Sequence, residues 1–132
     1  MPPHETYPPG SPQEWLQYAQ SDLAIAGLKD IPDDILFEEL CFHAQQAVEK
    51  SLKSLLVFKK ISFPKTHNIR VLLDLLPVDV AIPEEIADSA RLTDYAVMSR
   101  YPGVMEAVEK KEQGEAFLLA EAVVAWVKKQ VR

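Results

Sequence analysis

Residues 36–60 read LFEELCFHAQQAVEKSLKSLLVFKK, a run without glycine or proline that is rich in good helix formers. On a helical wheel, one side of this run is apolar and the opposite side is polar. The pattern predicts a long helix whose apolar face is covered by other helices and whose polar face contacts water or a ligand. The apolar side contains Leu40, Cys41, Ala44, Ala47, Val48, Leu52 and Leu55, and the polar side contains His43, Gln46, Glu49, Lys50 and Lys53.

The segments around this helix also have helical periodicity, and none alternates with the period of a strand. Ser11, Pro12 and Glu14 are typical of a helix start with a capping box, and Thr66 or Asn68 is suited to cap a short helix. Besides the central helix, helices are predicted over about residues 11–28, 69–76, 83–100 and 109–131. The sequence therefore predicts an all-α, up-and-down helical bundle of four long helices plus one short helix.

Domain organisation and location follow from composition. Residues 1–10 contain four prolines and no periodicity, so they are predicted to be a disordered tail before a single domain over residues 11–132. No apolar run approaches the length of a membrane span, and the N-terminus lacks the core of a signal peptide. A lone Cys41 excludes an intrachain disulfide and a cysteine-based zinc site. A cytoplasmic protein is expected.

Charge is distributed unevenly along the chain. The net charge is −6, which disfavours non-specific binding to nucleic acid, yet residues 40–70 contain six Lys or Arg and one acid, Glu49. That segment has a charge of 6 − 1 = +5, and the remainder has 8 − 19 = −11. Two interpretations stay open: Lys59 and Lys60 complement the negative end of a helix dipole, or the segment forms an anion-binding patch.

The candidate site combines cationic and polar groups from three parts of the chain. Two imidazoles, two ammonium groups and a guanidinium suit a phosphate or nucleotide ligand. Each residue also has a purely structural interpretation, because lysines mostly lie on solvated faces and Glu49 can pair with Lys53 one turn away. No metal site, cofactor fingerprint or catalytic triad is predicted. The candidate residues are His43, Gln46, Lys50, Lys53, His67 and Arg100, supported by Asp22, Glu49 and Tyr101.

Four motifs in order resemble those of the HEPN domain (higher eukaryotes and prokaryotes nucleotide-binding). They are CFHAQQAVEKSLK at residues 41–53, THNI at 66–69 before a Leu-rich short helix, SRYP at 99–102, and DLA at 22–24. The resemblance extends from Trp15 to the C-terminus. It implies a helical bundle, often a homodimer, commonly encoded beside a minimal nucleotidyltransferase with which it can form a toxin–antitoxin-like pair.

The resemblance also implies what a catalytic member of the family needs. Many HEPN toxins are metal-independent ribonucleases with an Arg followed, after four to six residues, by a His. Arg100 matches the Arg, but the corresponding positions are Met105, Glu106 and Ala107, and no His follows His67. The leading hypothesis is therefore a nucleotide- or RNA-binding module without the usual catalytic pair. The alternatives are a divergent ribonuclease that uses Arg100 with His67 or His43, and a non-catalytic structural partner subunit.

Overall fold

The computed structural model describes residues 4–98 and 106–132, without the side chain of Met98. Every regular element in these ranges is helical, which confirms the predicted all-α fold. No helix in the described ranges is both long enough and apolar enough to cross a membrane. The elements are α1 (Pro12–Ala26), α2 (Phe37–Phe58), α3 (Ile69–Asp74), α4 (Glu84–Asp88), a 3-10 helix (Ser89–Asp94), α5 (Tyr95–Met98) and α6 (Lys110–Gln130).

The centre of the bundle is α2, which packs against α1 and α6. α1 runs antiparallel to it, because the carbonyl of Pro12 accepts a hydrogen bond of 2.7 Å from the hydroxyl of Ser54 near the end of α2. α6 begins beside the start of α2, where the amide of Val108 donates to Glu38 (2.8 Å). The two helices run in the same direction. Between residues 47 and 56 of α2, every side chain except that of Lys50 is buried.

The polar side of α2 is therefore not a solvated face. Glu49 and Lys53, both on that side, are only 3% and 8% exposed. α1 borders this side with Trp15 and Asp22, so the polar flank of α2 is partly enclosed, and its other residues stay partly exposed. A helical wheel could not predict this, because it records the sequence of one helix and not the residues that a neighbouring helix supplies.

The predicted capping box of α1 is present, but one of its two hydrogen bonds involves a different backbone amide. The hydroxyl of Ser11 accepts a hydrogen bond from the amide of Glu14 (3.2 Å). The carboxylate of Glu14 accepts from the amide of Gly10 (2.9 Å), whereas the amide of Ser11 donates to the carbonyl of Pro8 (3.1 Å). The reciprocal bond of a capping box is thus displaced by one residue toward the N-terminus.

α2 ends in a Schellman motif with a lysine at the position that usually holds glycine. The amide of Ile61 donates to the carbonyl of Leu56 (2.9 Å) and the amide of Lys60 donates to the carbonyl of Val57 (2.9 Å). Lys60 has φ 60°, in the left-handed region. For a residue with a Cβ atom this conformation costs about 1–2 kcal/mol. The chain therefore carries a local strain at the end of its central helix.

The segment predicted as one long fourth helix consists of α4, the 3-10 helix and α5. Two side-chain contacts accompany the tighter 3-10 turns. The hydroxyl of Ser89 donates to the carbonyl of Ile86 (2.6 Å), and the hydroxyl of Thr93 accepts a hydrogen bond from the amide of Ile69, the first residue of α3 (3.1 Å). The second contact depends on a distant part of the chain, so sequence periodicity alone does not reveal it. The predicted end of this helix at Arg100 lies outside the described residues.

The last helix agrees with its predicted bounds and with most of its predicted buried stripe. Ala120, Val124 and Val127 are buried, and Phe117 and Val131 are partly buried. α6 contacts the end of α1 closely. The side chain of Gln113 donates to the carbonyl of Ala26 (2.7 Å), and a Cβ atom added to Gly27 would overlap the ring of Phe117.

Residues 4–10 have no regular structure and lie along α1. The carbonyl of Glu5 accepts a hydrogen bond from the side chain of Gln17 (2.8 Å), and the hydroxyl of Tyr7 donates to the carboxylate of Glu5 (2.8 Å). This hydrogen bond raises the pKa of Tyr7 above its ordinary value. Together with α1, these residues form an open cleft of about 860 Å³. The mobility of residues 1–10 stays a prediction.

Candidate functional site

The first cluster of the candidate site is centred on Asp22 of α1. Its carboxylate accepts hydrogen bonds from Nδ1 of His43 (2.8 Å) and Nζ of Lys50 (2.7 Å), both on α2. His43 and Lys50 lie about two helical turns apart, so one carboxylate fastens α1 across two turns of α2. The side chain of Asp22 is 10% exposed, whereas those of His43 and Lys50 are 28% and 23% exposed. The cluster therefore opens to the surface through His43 and Lys50.

The second cluster is centred on Glu49. One oxygen of its carboxylate accepts hydrogen bonds from Nδ1 of His67 (2.8 Å) and the side-chain amide of Gln45 (3.1 Å). The other oxygen accepts from Nζ of Lys53 (2.9 Å). Gln45 also donates to the backbone carbonyl of His67 (3.1 Å). The loop before α3 is thus fixed to α2 at both the ring and the backbone of His67.

Gln46 lies between the two clusters. It is one turn after His43 and one turn before Lys50 on α2, and its side-chain amide donates to Gln45 (2.6 Å) and, at 3.5 Å, to Glu49. The polar residues of α2 from His43 to Lys53 occupy about one third of the circumference of the helix. Both clusters therefore belong to one side of α2, and Gln46 connects them.

Glu49 is ionised in spite of its burial. Burial raises the pKa of this carboxyl, but hydrogen bonds from Lys53, His67 and Gln45 together outweigh that effect and hold the pKa of Glu49 below its ordinary value. The formal charges of the carboxylates and ammonium groups in the two clusters cancel, because each cluster contains one carboxylate and one ammonium group. Any net positive charge of the site must therefore come from protonated imidazoles or from residues outside the two clusters.

Aromatic rings cover the two lysines to different degrees. Nζ of Lys53 lies 5.5 Å from the ring centre of Trp15 and 5.6 Å from that of Phe63. Nζ of Lys50 lies 5.8 Å from the ring centre of Tyr18, which is itself exposed. These distances are within the range of cation–π attraction. Lys53 is consequently enclosed by two rings and a carboxylate, whereas Lys50 remains accessible from solvent.

The structure brings together most of the residues that the sequence singled out. His43, Gln46, Lys50 and Lys53, with Asp22 and Glu49, form the side of α2 that α1 borders, and His67 joins them through Glu49. Arg100 and Tyr101 lie outside the described residues. Sequence reasoning missed Gln45, which is fully buried and bonded to both Glu49 and His67. Its position four residues before Glu49 was the available signal, because that spacing places both on one face.

The two histidines are held in the same way. Each ring is bound to a carboxylate through Nδ1, and within the described part of the chain Nε2 of neither ring has a hydrogen-bond partner. A carboxylate at Nδ1 fixes the orientation and tautomer of an imidazole. A ring anchored in this way offers Nε2 to a ligand, as a donor when protonated and as an acceptor when neutral.

Metal and thiol chemistry have no support in the described residues. Among them, no group of three or more His, Cys, Asp or Glu side chains is placed to hold a metal ion. Cys41 is fully buried, and burial raises the pKa of its thiol to about 12. Burial likewise raises the pKa of the neighbouring Tyr95, whose hydroxyl donates to Glu112. A thiol with this pKa is protonated at neutral pH and is not a nucleophile.

Comparison with known proteins gives a consistent result. The family model of the HEPN domain matches residues 12–130. The crystal structure of TT1696 from Thermus thermophilus is similar, with 32% sequence identity, a TM-score of 0.78 and coverage of 92% of this chain and 98% of that chain. The crystal structure of ST0689, an archaeal HEPN homologue, has 28% identity, a TM-score of 0.71 and the same coverage of both chains. No curated protein shows significant sequence similarity.

Proposed function

The chain belongs to the HEPN family, and from this premise we propose that it is a nucleotide- or RNA-binding module. The ligand contacts the side of α2 formed by His43, Gln46 and Lys50, together with His67 from the following loop. Lys53 and Glu49 hold these groups in place from beneath, and Asp22 holds them from α1. Arg100 and Tyr101 belong to the proposal on the basis of sequence alone.

The observation that carries this proposal is the pair of imidazoles anchored by carboxylates on one side of α2. His43 and His67 are both fixed through Nδ1, at 2.8 Å from Asp22 and Glu49 respectively. When such a ring is protonated, its Nε2 donates to the oxygens of a phosphate, and the hydrogen bond requires little further ordering because the ring is already oriented. Lys50 adds an ammonium group that is bonded to the same carboxylate as His43 and is partly exposed.

A double variant tests the site directly. His43→Gln with Lys50→Gln removes both groups that emerge from the Asp22 cluster and should abolish binding of nucleotide and of short RNA without unfolding the protein. The control is Lys29→Gln with Lys111→Gln, two exposed lysines near the start of α2 that belong to neither carboxylate cluster. Circular dichroism establishes that both variants are folded. Undiminished binding by the first variant would remove this site.

A second candidate function is a divergent ribonuclease, which the same anchored imidazoles favour. Cleavage of RNA by attack of the 2′-hydroxyl needs a group that can transfer protons near neutral pH, and an imidazole oriented by a carboxylate is suited to that task. In this alternative, Arg100 stabilises the phosphate and His67 or His43 transfers the proton. Total RNA and tRNA incubated with wild type and with His43→Ala/His67→Ala distinguish the cases, since identical RNA profiles would exclude cleavage.

The proposal extends to partners on the basis of the family. We place the chain in the cytoplasm as a homodimer that acts with a minimal nucleotidyltransferase in a toxin–antitoxin-like pair. The third alternative is a structural subunit whose polar surface binds that partner and no nucleotide. Light scattering tests the dimer, and copurification with the product of a neighbouring nucleotidyltransferase gene tests the pair. Copurification without nucleotide affinity would favour the structural subunit.

A further inference from the structure

The end of α2 carries positive charges that the two carboxylate clusters do not neutralise. Lys50 and Lys53 are paired with Asp22 and Glu49. In the described part of the chain, by contrast, no salt bridge involves Lys59, Lys60 or Lys65. Residues 58–65, named here the basic loop, therefore contain three unpaired ammonium groups in a protein whose net charge is −6.

Lys60 is present where glycine would be favoured. Its φ of 60° places it in the left-handed region, and the Schellman motif at this position most often contains glycine. If the lysines served only to complement the negative end of α2, glycine at position 60 would relieve the backbone strain and Lys59 would still complement the dipole. The strained residue instead places an exposed ammonium group on the loop. This is an independent reason to assign a chemical role to the side chain.

Aromatic side chains alternate with these lysines. Phe58, the last residue of α2, is 40% exposed, and Phe63 is partly exposed with its ring 6.2 Å from that of Trp15. Positive charges bind a phosphate backbone without regard to sequence, and aromatic faces stack on unpaired bases. The ring of Phe63 already packs against Trp15 and Lys53, so the exposed ring of Phe58 is the one that can stack on a base. An exposed ring beside unpaired lysines therefore favours single-stranded nucleic acid over an acidic protein surface, which offers no bases to stack.

We infer that the basic loop binds the backbone of single-stranded RNA and directs it toward the candidate site. The loop continues into that site, because His67 follows Lys65 by two residues and is bonded to Glu49. The inference rests on the proposed function and specifies its substrate as RNA strands longer than a single nucleotide. The basic loop contributes affinity that does not depend on sequence, while His43, Lys50 and His67 contact the phosphate at the site.

The test is fluorescence anisotropy of a labelled single-stranded RNA of about ten nucleotides, titrated at several salt concentrations. The loop variant is Lys59→Gln/Lys60→Gly/Lys65→Gln. Its control is Lys29→Gln/Lys110→Gln/Lys111→Gln, which changes the net charge equally at the opposite end of α2, where Lys29 and Lys110 border one shallow cleft. Removal of one lysine–phosphate pair lowers the dependence of log K on log salt by about 0.7. The slope for the loop variant should therefore be smaller by about 2 and its binding at least ~10-fold weaker, and the control should bind like wild type.

The outcomes separate this inference from the proposed function. Equal binding by the loop variant and its control overturns the role of the loop, and the proposed function stands if His43→Gln/Lys50→Gln still abolishes binding. Absence of RNA binding by wild type overturns the inference, and retained nucleotide binding then preserves the nucleotide part of the proposed function.

The single variant Lys60→Gly is a control for misfolding of the triple variant. Its melting temperature should be ~4 °C higher because glycine relieves the backbone strain, and it should bind RNA more weakly because one positive charge is removed. A more stable variant that binds like wild type removes Lys60 from the loop's function.

Discussion

Replacement of Glu49 by Gln is the most informative perturbation of this bundle. The substitution keeps the size of the side chain and removes its charge. Three donors, from Lys53, His67 and Gln45, contact the carboxylate at 2.9, 2.8 and 3.1 Å. The amide of a glutamine cannot accept hydrogen bonds at both positions, so at least one of these donors is left without its acceptor.

The magnitude of the effect depends on Lys53. Its side chain is only 10% exposed, and without Glu49 its ammonium group has no counter-ion at bonding distance in the described structure. Removing one partner of a buried ion pair costs about 3–5 kcal/mol. The contacts with Trp15 and Phe63, worth roughly 0.5–1 kcal/mol each, are present in both proteins and do not offset the loss. Because the lysine chain can bend toward water, we expect a loss of about 3 kcal/mol in the free energy of unfolding at pH 7.

Urea denaturation measures this loss and its dependence on pH. The pKa of Glu49 is lower in the folded protein than its ordinary value of 4.5, so its stabilising contribution is complete above that value and disappears as the pH falls through the folded pKa. The difference between wild type and Glu49→Gln should therefore shrink below pH 4.5. Glu121→Gln, the same change at an exposed position of α6, is the control and should leave stability unaltered.

Two results would refute the reasoning. A loss below about 1 kcal/mol would mean that the pair behaves like an exposed one. A difference that stays constant down to pH 3 would mean that the charge of Glu49 is not the cause. The double variant Glu49→Gln/Lys53→Met adds a further check. It should recover part of the lost stability, since it replaces the unpaired ammonium group with an apolar chain of similar length.

Three other substitutions and one chemical modification test the packing. Gly114→Ala should raise the free energy of unfolding by about 0.5–1 kcal/mol, because an added Cβ meets no atom within 4 Å. Gly27→Ala should lower it by about 1–3 kcal/mol, because the new Cβ would overlap the ring of Phe117. Urea denaturation measures both changes. Ser51→Ala should leave stability unchanged or raise it slightly in the same assay, because the buried hydroxyl has no hydrogen-bond partner in the described structure. Cys41 should react with a thiol reagent at pH 8 only in denaturant, since its thiol is buried with a pKa of about 12; rapid reaction in buffer would contradict its burial.

The parts of the fold that depend on local sequence were predictable. The central helix was predicted over residues 36–60 and is observed over Phe37–Phe58, and the last helix was predicted over about 109–131 and is observed over Lys110–Gln130. Periodicity and caps determine such elements, because the apolar side of a helix must be buried and its first amides need acceptors. The break between α4 and α5 was not predictable in this way, since one of its hydrogen bonds joins Thr93 to the distant Ile69.

The residues of the candidate site were predictable as a set, but their contacts were not. Spacing placed His43, Gln46 and Lys50 on one side of α2, and Asp22 was predicted to support them. Sequence could not show that a single carboxylate joins His43 and Lys50, because this contact depends on how α1 crosses α2. Nor could it show that Lys53 is enclosed by two rings, since Trp15 and Phe63 are far apart in the sequence and meet only because α1 and α2 are antiparallel.

The central position of α2 has a consequence for the order in which the chain folds. α1 and α2 are joined by residues 27–36, so their pairing closes a small loop, whereas α6 must return to α2 across more than half the chain at a larger entropic cost. The α1–α2 hairpin is therefore the natural nucleus, and α6 docks on it later. Truncation of Trp15 on α1, whose ring covers the ammonium group of Lys53 on α2, should mainly slow folding. Truncation on α6, such as Val124, should mainly accelerate unfolding.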